Sequence, residues 1–526
     1  MPTSRDKAST TSVPAASKVS RPSSESASTT PRDRGRPRVV TRVRFWIWIA
    51  LVVSVCVALP VWSWLLRDGL LLDRTALLRL GGLTTSGLAL IAFILLATTP
   101  VDAVLVSTRL GKRLLLTAAA VACGCCTVLV APVLDADVLR TRADGYVWLN
   151  GTTPYATPPA EIRRDGRPLS PMAASEDPFA RDEAALDAAT PDASSASREG
   201  PAVQAIAAGS RAIDLTLPVG SATGNTLPAA ADWRMATLEL PWWRRMTVLR
   251  GMLAIAFLLT VGEMIAWLRQ REQSVWWAAL FAWPAATWFG AAGQGATAVL
   301  GTLFLVAGLR RLELLRPRRA ALSLAAAVAV WPVAVIAFPF AIRVARGADE
   351  ASRKVRFATW YGLTLALLFI PPLSVDGGFG GYWSALLSHL LTPRDGFTAH
   401  LFGDLRLTWA LCLIATVLIG ALTWLRRLAA PAATYLTLMT ALLLAPIASP
   451  WLVAWPLALA PIFAGRGGLA ALVWSGTIAA AGFQAGGGAG IYAPVVVAFI
   501  FDGVVILRRP VAVRTMPGPI ATADVK

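Results

Sequence analysis

The apolar run Leu114–Leu134 passes directly into Asp135-Ala-Asp-Val-Leu-Arg-Thr-Arg-Ala-Asp-Gly145. The run carries no charge and is long enough to cross a bilayer, which takes about 20 apolar residues. The eleven residues after it hold five charges. Charged groups are costly to bury unpaired, so ionisable residues beside a span are either exposed or functional. This junction therefore marks a membrane boundary and the start of a polar segment with chemical potential.

The rest of the chain has the same character. Of 526 residues, 56% are hydrophobic and 15% are charged, against about 25% charged in soluble domains. The mean hydropathy is +0.58. The uncharged run Phe45–Leu66 is also of crossing length, as is 249–268, which is apolar apart from Arg250 and Glu263. Tryptophan collects at membrane interfaces, and Trp62, Trp64, Trp242 and Trp243 stand at the ends of such runs.

The formal charge of +18 does not indicate nucleic acid. Ten Lys/Arg against three acids fall in residues 1–44, and shorter basic clusters (Arg310/Arg311 to Arg318/Arg319, Arg343 to Arg356, Arg426/Arg427, Arg508/Arg509) separate apolar runs. That is the positive-inside pattern, which orients spans in the bilayer. The Ser-, Thr-, Pro- and Arg-rich tail 1–44 lacks a hydrophobic pattern and is expected to be disordered and cytoplasmic. The first apolar run then acts as an uncleaved signal anchor. Of the five cysteines, Cys56 and Cys412 lie in apolar runs, and Cys123, Cys125 and Cys126 crowd into one. No His or acid stands near them, so helix packing is favoured over a metal site and no disulfide framework is implied.

From an inner tail, the pattern predicts an all-α polytopic protein with about twelve transmembrane helices in a domain over 45–509. The expected crossings are 45–66, 77–98, 113–134, 247–268, 275–291, 293–311, 357–375, 407–427, 433–449, 451–465, 468–485 and 490–508. Residues 320–342 have basic clusters at both ends and Trp331-Pro332 at the middle. Proline breaks a helix there, so this run is expected to be a re-entrant helical hairpin. The outer loops are 135–246, with a flexible part at 165–230, and 376–406. Both termini are cytoplasmic, the second being a 510–526 tail. The first loop holds fifteen Asp/Glu against eleven Lys/Arg, as expected of a translocated segment.

Within the first loop, Asp137, Arg140, Thr141 and Asp144 recur at i, i+3, i+4 and i+7, which places them on one helical face. Gly145 is a point where such a helix can stop. A carboxylate face at the membrane surface can act as a general base, hold a divalent cation such as Mg or Mn through Asp135 and Asp137, or do both. The plainer alternative is a solvated surface helix with Asp137–Arg140 and Arg140–Asp144 ion pairs.

Asp137-x-x-Arg140-x-x-x-Asp144-Gly145, followed by Gly151-x-x-Pro154-Tyr155, resembles a motif of the GT-C superfamily. These are integral-membrane glycosyltransferases that use polyprenyl-phosphate sugars, and the similarity is to their bacterial mannosyltransferase-like branch. Four further segments resemble later motifs of that branch in the same order: Ala282-Trp283-Pro284, Gly293-Gln-Gly295, Trp331-Pro332 through Pro339, and Ser449-Pro450-Trp451 with Trp455.

The resemblance implies a GT-C-like fold in a bacterial inner membrane and transfer of a hexose, mannose in that branch. The donor is a polyprenyl-phosphate-linked sugar, and the acceptor is a glycan or glycolipid hydroxyl on the outer face. It also implies that Asp137 is the general base with Asp135 as its neighbour or metal partner, and that Arg140, Asp144 and Tyr155 shape the substrate site. Cations are expected near the leaving phosphate, with Arg244, Arg245, Arg394, His400 and Arg406 as candidates. The expected partners are thus the lipid bilayer, the lipid-linked donor and the acceptor, with no nucleic acid. The chain departs from the pattern at several positions. Thr141 and Ala143 replace aromatics, Thr153 replaces Asn, Ala296 and Ser449 stand where the branch has His, and Trp331 stands where it has Lys. An inactive GT-C-like scaffold and a lipid-linked-sugar flippase are the alternatives.

Overall fold

The computed structural model describes residues 74–98, 108–129, 136–164, 197, 200–216, 247–344, 350–375, 377–391, 403–446, 450–463, 465, 467–481 and 492–508, with a few positions between 50 and 61. The expected 1–44 tail, most of the 45–66 span and the 510–526 tail lie outside the described residues. Residues 47–526 form one compact unit.

Among the described residues the secondary structure is helical. The main helices in chain order are α1 (Arg74–Thr98), α2 (Thr108–Leu129), α3 (Ala136–Leu149), α4 (Pro159–Arg164), α5 (Pro201–Thr216), α6 (Thr247–Gln270), α7 (Ala298–Glu313) and α8 (Pro317–Val330). They continue with α9 (Ala337–Val344), α10 (Glu350–Leu373), α11 (Gly378–Leu391), α12 (Leu405–Leu425), α13 (Ala430–Leu444), α14 (Leu469–Ala480) and α15 (Ala493–Arg508). Three single stretches, Leu78–Ala97, Val248–Gln270 and Leu405–Leu425, are long and apolar enough to cross a membrane. The pair Ala351–Leu373 and Gly378–Ser388 is apolar enough only when the two are taken together, and it is bent by 100° between them.

Several of the other expected crossings are shorter or broken. Residues 275–294 run as a 3-10 turn, two short α-helical pieces and a π-helical turn, and all of them are buried. Proline at 284 removes an amide donor and excludes a continuous helix. The carbonyls freed around it are taken by side chains. Thr287 Oγ1 donates to Phe281 O (2.6 Å) or Pro284 O (2.7 Å), Trp288 Nε1 donates to Trp283 O (3.0 Å), and Thr85 Oγ1 accepts from Ala285 N (3.3 Å). Broken backbone at membrane depth is tolerated only when it is buried and re-satisfied in this way.

Residues 317–344 double back as the proline predicts. Trp331 is extended (φ −147°, ψ 120°) and ends α8, because the residue before proline is driven out of the helical region. Arg318, at the start of α8, stacks 3.8 Å over the Trp360 ring of α10. Twelve residues later α8 has risen about 18 Å. Phe338 in α9 is nevertheless back at the same two turns of α10, against Phe357 (6.0 Å) and Tyr361 (4.6 Å). Arg343 then donates to Trp424 O (2.8 Å) and to Leu428 O at the end of α12.

α6 and α7 run parallel, with their C-terminal turns tied by charge. Glu263 pairs with Arg310 (2.5 Å), and Glu313 accepts from Arg271 and from Trp267 Nε1 (2.6 Å). We call this the arginine end and the opposite end, where α6 begins and α8 stops, the loop end. A buried carboxylate locks the last helices. Asp502 of α15 accepts from Tyr435 Oη (2.7 Å) and from the backbone N–H groups of Ala470 (2.9 Å) and Leu469 (3.2 Å). Those amides open α14, whose N-cap Gly468 (φ 92°) has no side chain to cap them. Asp502 thus serves as an N-cap supplied from another helix. Removing it in Asp502→Ala leaves a buried hydroxyl and two amides unpaired and should destabilise the protein by about 3 kcal/mol, with Asp502→Asn milder. The thermal midpoint in detergent is the readout.

Candidate functional site

The motif that begins the first polar segment lies on α3. The helix does not stop at Gly145 but continues to Leu149. Glycine is needed there for approach rather than for termination, since a Cβ at 145 would lie 2.7 Å from Ala207 O and 2.8 Å from Arg211 Cγ of α5. α5 lies within the 165–230 segment that was expected to be flexible. Its residues Val203, Gln204, Ala207, Ser210 and Arg211 are buried. Residues 165–196 and 217–230, apart from this helix, lie outside the described residues.

The approach of α5 to α3 buries the motif's charges. Arg140 Nε donates to Asp144 Oδ1 at 2.7 Å, one turn along the helix, with side-chain exposures of 6% and 0%. The second oxygen of Asp144 accepts from Ser197 Oγ (2.5 Å) and Gln204 Nε2 (2.8 Å), and Gln204 Nε2 also reaches Ser197 Oγ (2.7 Å). The expected Arg140–Asp144 pair is therefore present, but it is buried rather than solvated. A buried carboxylate with three charge-assisted or polar donors is well satisfied. Its role here is to join α3 to the 197–216 segment.

The segment after α3 continues the connection toward the membrane helices. Gly151 has φ 79°, and Asn150 Nδ2 donates to Tyr146 O (2.9 Å), closing the helix end. Pro154 O accepts from Ser197 N (2.7 Å), and Thr153 Oγ1 reaches Pro372 O of α10 (3.5 Å). Tyr155 is fully buried and meets Tyr382 of α11 edge-on at 5.4 Å. At Gly200, before α5, a Cβ would come 2.0 Å from Ala329 O, so the backbone rests on the tip of the 317–344 hairpin. Arg142 and Arg211 both lie over the Tyr146 ring, at 5.1 and 5.8 Å. This α3–α5 platform is the candidate site.

The expected site residues divide as follows. Arg140, Asp144 and Tyr155 come together in the platform, all three buried. Asp137 is in α3, one turn before Arg140 and Thr141, and its side chain is outside the described set. Asp135, Arg244, Arg245, Arg394 and His400 lie outside the described residues. Arg406 is exposed at the start of α12, where its backbone N–H donates to Asp404 Oδ1 (2.8 Å). Among the described residues no group of three His, Cys, Asp or Glu could hold a metal ion.

The later segments also converge. The Trp451 ring lies on Gly290, where a Cβ would meet it at 2.7 Å, and Trp455 crosses Gly301 in the same way. Arg250, buried at the start of α6, donates to Ala292 O (2.7 Å) in the π-helical turn and to Cys126 O of α2. No local sequence pattern signals this tie, nor the roles of Ser197 and Gln204. α5, expected as part of a flexible loop, does carry a local signal, since Pro201 opens it and Val203, Ala207 and Ser210 follow at i, i+4 and i+7.

No family model, curated protein or solved structure matches this chain.

The platform makes two testable demands. Arg140→Ala leaves Asp144 buried without its cation and should destabilise by about 3–5 kcal/mol, whereas Arg140→Met with Asp144→Leu recovers most of the loss. Gly145→Ala forces α3 from α5 and should lower stability by about 1–3 kcal/mol. Thermal midpoints of the four proteins in one detergent test both.

Proposed function

We propose that this chain is a membrane glycosyltransferase of the GT-C kind, with twelve crossings around the described helices and a hexose-bearing polyprenyl phosphate as donor. The observation that carries the proposal is the rigid seating of α3. Its Arg140–Asp144 pair is held by Ser197 and Gln204 at the loop end of the apolar helices, one turn after Asp137. A catalytic carboxylate must be held by elements whose own positions are fixed, and α3 meets that requirement.

In the proposed reaction Asp137 removes the proton from an acceptor hydroxyl. The hydroxyl oxygen attacks the anomeric carbon of the donor sugar, the bond from that carbon to the phosphate oxygen breaks, and the lipid phosphate departs with the electron pair. The anomeric configuration inverts in this single displacement. Asp135 is the neighbouring carboxylate, and a Mg or Mn ion is the cofactor it and Asp137 would hold. Arg244, Arg245 and His400 are the groups proposed for the phosphate. Mannose is the proposed sugar, and the enzyme faces the outside of a bacterial inner membrane.

One observation favours a non-catalytic scaffold instead: Asp144 and Tyr155, which the motif resemblance assigns to substrate, are fully buried in packing contacts. The two are separated by transfer of radiolabelled sugar from polyprenyl-phosphate mannose or glucose in spheroplasts. Wild type is compared with Asp137→Asn and Asp135→Asn at matched protein level. A general base contributes about 10²–10⁴-fold, so Asp137→Asn should lose transfer by that factor. Equal transfer in all three removes the carboxylate mechanism, and no transfer in wild type with either donor leaves the scaffold.

A further inference from the structure

We infer that α11 is an in-plane membrane-interface helix whose partner is the bilayer surface itself, and that it fixes the depth of the α3–α5 platform. This does not rest on the proposed transferase activity. Residues 376–406 were expected to be an outer loop, yet Gly378–Leu391 is helical. The chain reaches it through a 100° bend. Pro371 and Pro372 sit in the last turn of α10, Ser374 Oγ donates to Pro371 O (3.0 Å), and Gly378 N donates to Val375 O (2.7 Å). Gly377 adopts φ 78°, and a Cβ at Gly378 would lie 2.9 Å from Pro372 O. The turn is therefore built by residues that permit it. α11 is 14 residues long, or about 21 Å, too short to cross a hydrocarbon core of about 30 Å.

Its surface is divided three ways. Gly378, Tyr382 and Ala385 are buried, and Tyr382 packs on Phe369 of α10 (6.1 Å) and on Tyr155 of the platform (5.4 Å). Phe379, Trp383 and Leu387 are 61%, 45% and 53% exposed. Gly380, Ser384 and Ser388 are exposed beside them. At about 100° per residue, the aromatic stripe is centred about 100° from the Gly/Ser stripe and about 130° from the buried one. A helix crossing a bilayer would be apolar on every face it leaves exposed. A helix at the boundary needs one face on protein, one on acyl chain and one on water, as this has.

Continuity identifies the apolar partner as lipid. Leu363, Leu367 and Ile370 of α10, at i, i+4 and i+7, are 45%, 65% and 61% exposed. They lie on the uncharged 357–373 part of α10, and the exposed apolar surface resumes after the bend at Phe379 and Trp383. Gly378–Ser388 contains no charged residue, so attachment requires no anionic headgroup. Trp383 is suited to the headgroup level, where tryptophan concentrates. Because Tyr382 holds Tyr155, the helix that rests on the lipid is also joined to the segment following α3.

The test uses the full chain in phosphatidylcholine nanodiscs, with nitroxides on single cysteines (Phe379→Cys, Trp383→Cys, Leu387→Cys, Ser384→Cys, Leu363→Cys, Ile370→Cys) after the native cysteines are replaced. Collision with oxygen and with a nickel chelate gives depth. The inference predicts one shared depth at 379, 383 and 387, about 5–10 Å below the headgroups, water contact at 384, and a graded depth from 363 to 370. A gradient across α11 reaching about 12 Å between 379 and 387 means a continued crossing and overturns the inference. So does uniform access to the nickel chelate, or a depth that appears only when anionic lipid is added. Should the cysteine-free chain not fold, a photo-reactive amino acid at 379, 383, 384 and 387 of the natural chain reports the same thing. Label should transfer to lipid from 379, 383 and 387 and not from 384; transfer from none of them, or to a second copy of the chain instead, overturns it.

Discussion

The burial of Asp144 governs the loop end of this protein. A carboxylate with no exposed surface is tolerable only with a cation and a full set of donors. Arg140 supplies the first from the same helix, and Ser197 and Gln204 supply the second from a segment more than fifty residues away. Satisfying one side chain therefore fixes α3, the turn through Pro154 and α5 together. It also explains why glycine stands at 145 and at 200, the two places where α5 and the residue before it must come within contact of another backbone.

The membrane helices obey the same rule on a larger scale. Where proline interrupts an apolar run, side chains supply acceptors and donors, as Thr287 and Trp288 do locally around Pro284 and Thr85 does from α1. Where a helix begins without a capping side chain, Asp502 reaches in from a neighbour. Arg250 joins α2 and the π-helical turn through two carbonyls. At these places polar side chains serve backbone that cannot satisfy itself, a constraint that the absence of water at membrane depth makes strict.

Much of this was legible from sequence, for identifiable reasons. Helical content followed from long apolar runs, and the fold-back at Trp331-Pro332 followed from the restriction that proline places on itself and its predecessor. The i, i+4 spacing of Arg140 and Asp144 announced their pairing, but not its burial, because burial depends on α5, whose partners lie far along the chain. The broken 275–294 stretch escaped because composition alone cannot distinguish one continuous apolar helix from a series of short helical pieces buried on all sides. α11 escaped because its exposed face mixes Phe and Trp with Gly and Ser, which lowers any single periodicity. At the candidate site, the motif located α3 and Tyr155, while Ser197, Gln204 and Arg250 belong to no local pattern.

The central claim is that α3 and α5 form one unit held by the Asp144 network. Hydrogen–deuterium exchange on the full chain in nanodiscs, comparing wild type with Asp144→Asn, addresses it directly. The buried network predicts slow exchange over 136–149 and 201–216 in wild type, with both stretches losing protection together in the variant while the 248–270 helix is unchanged. Fast exchange over 136–149 in wild type, or loss confined to α3 alone, would contradict it.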